Sequence, residues 1–141
     1  ALSLLMPAAL DLEHNHPYGT SYYNEVIGSH RGAADRRMMR QFWGYAVRGS
    51  AEWLNENAPK NAKVWTGNAT GWAWREYQRE GILREDLRAT HMGSSDYAIF
   101  FHQKSFAHLE VELWRTYKTR APVHVLELDG VPLVSIYRRA R

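Results

Sequence analysis

Val123-His124-Val125-Leu126-Glu127-Leu128-Asp129-Gly130-Val131-Pro132-Leu133-Val134-Ser135-Ile136-Tyr137 reads as two strands joined by a two-residue turn. Asp-Gly between apolar runs is a strong hairpin signal, because both residues tolerate the positive φ of a type I′ turn. Pro132 has no N–H to donate, so it puts the second strand at a sheet edge, or at least its start outside the ladder. Upstream, Tyr97–Phe101 is a nearly continuous apolar run, the pattern of a strand buried on both faces. Ser105 then stands where it would cap a helix whose Phe106, Leu109, Leu113 and Tyr117 share one side.

Toward the amino terminus the same alternation continues. Leu87 to Thr90 reads as a short strand, and Lys63 to Thr66 as another, closed by Gly67-Asn68. Between them, Thr70 is placed to cap a helix from Gly71 to Glu80 that stops at Gly81. Glu76 with Arg79, or Glu80 with Arg84, would form solvated pairs there. Val47, Ser50, Ala51 and Leu54 recur at helical spacing, and Asn57-Ala58-Pro59 ends that helix. The order helix, strand, helix, strand, strand, helix, strand, strand predicts an α/β layered sandwich. Its sheet would have about five strands, mostly parallel, closed by a C-terminal antiparallel hairpin.

Composition bounds the function. A chain of 141 residues fits one domain with a real core, and its 45% hydrophobic and 23% charged content is ordinary. A net charge of +3 is too mild to argue for nucleic acid, and none is expected as a partner. With no cysteine, thiol nucleophiles and disulfides are excluded. Ala1 to Leu10 is apolar but interrupted by Pro7, and far shorter than the ~20 residues of a spanning helix. The chain opens on Ala1 rather than Met, as a processed product or an excised piece would.

Catalytic motifs are missing. Gly67-Asn68-Ala69-Thr70-Gly71 lacks the lysine and glycine spacing of a phosphate loop and reads as a structural βα turn. His14 and His16 could share a zinc as His-x-His with Asp11 or Glu13, a spacing common by chance, and no metal site is assigned. His102 and His108 flank a helix start and read as surface or capping residues. Glu110 and Glu112 read as solvated. Arg36, Arg37 and Arg40 read as one solvated helical face opposite Met38, Met39 and Phe42, with anionic lipid headgroups as the functional alternative. Trp72 and Trp74 point to different sides of their helix, so one of them is core.

The remaining anomaly is His16-Pro17-Tyr18, followed by Tyr22-Tyr23-Asn24-Glu25-Val26-Ile27-Gly28 and by Phe42-Trp43-Gly44. It has no clean period and reads as an irregular aromatic N-terminal cap or a recognition surface. Together with the helix ending Glu52-Trp53-Leu54-Asn55, it resembles the soluble C-terminal region of bacterial polyprenyl-phosphate-sugar-dependent glycosyltransferases, the protein mannosyltransferase type (glycosyltransferase family 39). That family's pattern has Gly-Gly where this chain has Gly28-Ser29, and often an acidic residue where it has Gln41. The motif covers residues 16 to 66.

The resemblance implies a parent with many membrane helices that transfers a sugar, such as mannose, from a polyprenyl-phosphate carrier on the outer side of the membrane. Residues 1–15 would be the linker leaving that membrane portion, and 16–141 a single α/β domain on its extracytoplasmic (periplasmic) face. The domain itself would be non-catalytic and carry no cofactor, capping the membrane portion of the same polypeptide or assisting acceptor binding. The lipid-linked sugar and the acceptor would be met only through the parent. The implied acceptor or interface contacts are His16, Tyr18, Tyr22, Tyr23, Asn24 and Trp43, whose plainer role is to pack the cap itself. The alternative is a free-standing module binding a small ligand or carbohydrate at the carboxyl ends of the parallel strands, near Asn68, Thr70, His91 and Ser94.

Overall fold

The structure is a computed structural model that describes residues 2–21, 23–40, 47–67 and 71–140. Its five strands are β1 (Lys63–Trp65), β2 (Arg88–Ala89), β3 (Tyr97–Phe101), β4 (His124–Leu128) and β5 (Val131–Arg138). They form one sheet in the order β2-β1-β3-β5-β4. β1 runs parallel to β2 and β3, whereas β5 is antiparallel to β3 and β4. The fold is the expected layered α/β architecture on a mixed sheet, parallel at one end and antiparallel at the other.

Helices α1 (Leu2–Asn15), α2 (Ser29–Asp35), α3 (Arg48–Asn57), α4 (Gly71–Arg79) and α5 (Ala107–Tyr117) complete it. β3 is buried along its whole length, and its alternation divides the core. Tyr97, Ile99 and Phe101 join a cluster with Ala51 and Leu54 of α3 and Trp74 of α4. Ala98 and Phe100 join the opposite cluster with Leu113 and Tyr117 of α5. The period-2 pattern of a central strand and the helical spacing of its neighbours thus meet in two layers. Leu113 is fully buried; truncating such a residue to alanine costs about 2–5 kcal/mol.

The hairpin turn has φ 53° at Asp129 and 75° at Gly130, as a type I′ turn requires. β5 is internal, so Pro132 does not mark an edge. It lies before the β3 ladder, whose last pair is Phe101 with Val134, and beside a register shift at Leu126/Glu127. The missing N–H is accommodated there. Gly81 ends α4 in a Schellman arrangement, with Ile82 N–H on Tyr77 O at 2.9 Å and Gly81 N–H on Gln78 O at 3.1 Å. Arg79 pairs with Glu76 at 2.6 Å in the open, as the spacing predicts.

Two local expectations are corrected. Ser105 lies inside a 3₁₀ turn, Lys104–Phe106, and α5 has no side-chain cap. Arg84 does not pair with Glu80. It forks onto Asp86 at 2.9 Å through both Nε and a terminal nitrogen, and its guanidinium also donates to the carbonyls of Asn55, Ala58 and Pro59. Carbonyls at the end of α3 need donors, and a guanidinium supplies several in one plane. That fork holds the Asp86 carboxyl well below the usual carboxylate range. Residues 2–15 are helical, forming α1, which runs through Pro7 at the loss of one i→i−4 hydrogen bond.

Candidate functional site

The aromatic segment builds a cap on one end of the sheet. After a turn containing a cis His16-Pro17 bond, short 3₁₀ turns at Gly19–Ser21 and Glu25–Ile27 lead into α2. Asn24 caps the second turn, its Oδ1 accepting from Ile27 N–H at 3.4 Å. Gly28 and Ser29 both take left-handed backbone, at φ 87° and 53°. Gly32 permits a closer approach still: a Cβ there would lie 1.8 Å from the Ile27 carbonyl oxygen.

Side chains from the cap hold it to the hairpin turn. His14 Nε2 contacts Asp129 Oδ1 at 2.8 Å, Arg31 Nε donates to Asp129 O at 2.6 Å, and a terminal nitrogen of Arg40 donates to Pro132 O at 3.2 Å. Behind this clamp the buried His30 ring bonds Asn15, and burial pushes its pKa down. β5 opposes β3, so this turn sits at the carboxyl end of β3.

Of the residues singled out from sequence, Tyr18 packs on the core beside α3 and β4, and a Cβ on Gly49 would meet its hydroxyl at 2.2 Å. Burial first, then the Glu52 charge, raises the Tyr18 pKa. Tyr23 donates to Met39 O at 2.5 Å. His16 is exposed. His91 and Ser94 lie just beyond the carboxyl end of β2, where Ser94 Oγ bonds Thr90 Oγ1 at 2.9 Å and donates to His91 O at 3.3 Å. Tyr22, Trp43, Asn68 and Thr70 lie outside the described residues.

Between cap, β3 and α5 is a cavity of about 250 Å³ lined by Arg37, Arg40, His102, Lys104 and Glu110, among others. His102 is not a surface residue. Its Nε2 lies 2.7 Å from Ser135 Oγ, and its ring meets Phe100 edge-on at 5.4 Å. Burial, with Arg40 nearby, lowers its pKa to about 4, so the imidazole is neutral at pH 7. Ser135 is itself only 2% exposed, closed to an incoming carbonyl, and a base this weak is poorly matched to proton abstraction. The pair therefore builds a wall rather than a hydrolytic centre. Glu110 is half-buried, not solvated, and burial raises its pKa against the opposing pull of Arg40.

The arginine run is not one helical face either. α2 ends at Asp35, Arg36 donates back to Ile27 O at 2.9 Å and Gly32 O at 3.0 Å, and Arg37 turns left-handed at φ 57°. The break redirects Arg37 and Arg40 to the cavity. The signal for this site was period 2: continuing β3 by two residues from Phe100 puts His102 on its face. What sequence cannot give is the cap folding back over it.

A larger cleft of about 840 Å³ opens at the other end of the sheet, near Asn61, Asp96 and Arg139. Two of its charged groups are committed to the fold. Asp96 accepts from Lys63 N–H at 2.9 Å, and Arg139 donates to the carbonyls of Ser95, Thr116 and Met92. It also lies before the parallel strands, the end that open α/β sheets do not use for ligands. The smaller cavity is the better candidate.

Among the described residues, no group of three or more His, Asp or Glu side chains is placed to hold a metal ion, and no helix is long and apolar enough to cross a membrane. No family model, curated protein or solved structure matches the chain.

Proposed function

We propose that this chain is the extracytoplasmic C-terminal domain of an integral-membrane glycosyltransferase that takes a sugar from a polyprenyl-phosphate carrier. In this role the domain is non-catalytic and caps the membrane portion or helps seat the acceptor. The observation that carries the reading is the backbone at Gly28-Ser29. The family pattern places Gly-Gly there, and both residues adopt the left-handed conformation that favours glycine. The pattern's other pieces also cooperate in space, since Tyr18 packs beside Gly49 of the helix that carries Trp53-Leu54.

Two further observations support it. The motif residues Tyr18, Tyr23 and Asn24 are engaged in building the cap, a structural use that fits a domain whose chemistry lies elsewhere. Met6, Leu10 and Leu12 of α1 are 63%, 60% and 79% exposed, an apolar content suited to a helix that abuts lipid or membrane-embedded protein. The test is sugar transfer from a polyprenyl-phosphate donor. The native membrane protein should carry it out and the 141-residue chain alone should not; turnover by the chain alone overturns the reading.

A further inference from the structure

Three cations meet at the 250 Å³ cavity from two directions. Arg37 and Arg40 come from the segment after α2, and Lys104 from the turn before α5. Glu110 supplies the one carboxylate of the lining, and His102 is neutral at pH 7. Three positive charges against one negative leave the lining near +2. The ion pairs among the described residues are His14–Asp129, Arg79–Glu76 and Arg84–Asp86, so none of the three cavity cations is neutralised by one. Like charges gathered round one concavity repel one another, and an anion relieves that repulsion.

We infer that this cavity binds a compact phosphate group, as inorganic phosphate or a phosphate monoester, held by Arg37, Arg40 and Lys104 against the His102 wall. One N–H of Arg40 is fixed on Pro132 O, which orients the guanidinium; among the described residues its other donors have no hydrogen-bond acceptor and can serve an oxyanion. A lining near +2 matches a phosphate monoester dianion better than a single carboxylate. The volume admits the phosphate with a small substituent and is too small for a stretch of nucleic acid. A soluble ester and a phospholipid headgroup both present this group, and the chemistry of capture is the same. This inference is independent of the membrane-parent reading, since a free-standing domain would carry the same cavity.

The test is calorimetric titration of the 141-residue chain with inorganic phosphate and with glycerol 1-phosphate at constant ionic strength. In parallel, flotation with vesicles containing phosphatidic acid is measured with and without competing phosphate. Expected is one saturable site with a Kd of about 1 mM or tighter, weakened about tenfold by Arg40→Gln or Lys104→Gln. Lys104 is exposed, so its variant keeps the test readable if Arg40→Gln disturbs the cap. Vesicle binding that free phosphate competes away identifies a headgroup as the source, and titration without flotation identifies a soluble ester. No saturable binding in either arm overturns the inference. So does binding unchanged in Lys104→Gln and Arg37→Gln, or flotation that phosphate does not compete.

Discussion

His102 Nε2 sits 2.7 Å from Ser135 Oγ across the β3–β5 pair, in the wall of the cavity that the cap closes. The ring is neutral because burial opposes its charge, with a pKa of about 4 in the fold against an ordinary 6.5. Between those values the unfolded chain binds a proton that the folded chain does not. Stability therefore rises with pH across that window, is fully present above about 6.5, and falls by about 2–3 kcal/mol as pH drops to 4. Urea melts at successive pH values should show this slope, and His102→Gln should flatten it. The buried His30, shifted in the same direction, retains the remainder.

Gly32 and Gly49 separate two kinds of close approach. A Cβ at Gly32 meets backbone, the Ile27 carbonyl, which cannot swing aside. Gly32→Ala should cost about 2–4 kcal/mol. At Gly49 the obstacle is the Tyr18 hydroxyl and a Leu126 methyl. Gly49→Ala should cost about 1–3 kcal/mol by overpacking, less in a Tyr18→Phe background. Denaturant midpoints of the two singles and the double mutant read the coupling directly.

Ser50 is fully buried on α3, and its Oγ has no hydrogen-bond partner among the described residues. Replacing it with alanine removes an unsatisfied hydroxyl and improves helix propensity. Ser50→Ala should stabilise the chain by about 0.5–1 kcal/mol in thermal or chemical unfolding.

Much of the fold was legible because its signals are local. Asp129-Gly130, the buried run of β3 and the spacing of Val47, Ser50, Ala51 and Leu54 each depend on neighbours in sequence. Pro132 was half legible: it removes a donor, but only the register shift opposite shows how an internal strand tolerates that. Ser105 and Arg84 misled because several caps and partners compete at a helix end, and the three-dimensional arrangement of carbonyls decides among them. The cavity was least legible. His102 looked like a helix-flanking surface residue until a cap more than sixty residues upstream folded over it.

Leu10 and Leu12 face outward on α1, so Leu10→Gln and Leu12→Gln should change the chain's unfolding free energy by less than about 0.5 kcal/mol. If the domain is attached to a membrane portion as proposed, the same pair in the full-length protein should loosen it, measured as faster proteolytic release. Equal release from variant and parent would show that α1 does not make the contact.

The proposed function requires membrane attachment on the extracytoplasmic side. An antibody to this domain, used on fractionated cells producing the protein from its native gene, tests it most directly. The expected antigen resists carbonate extraction from the cell membrane and is cut by protease added from the extracytoplasmic side. An antigen found only in the soluble fraction, no larger than these 141 residues, would contradict it.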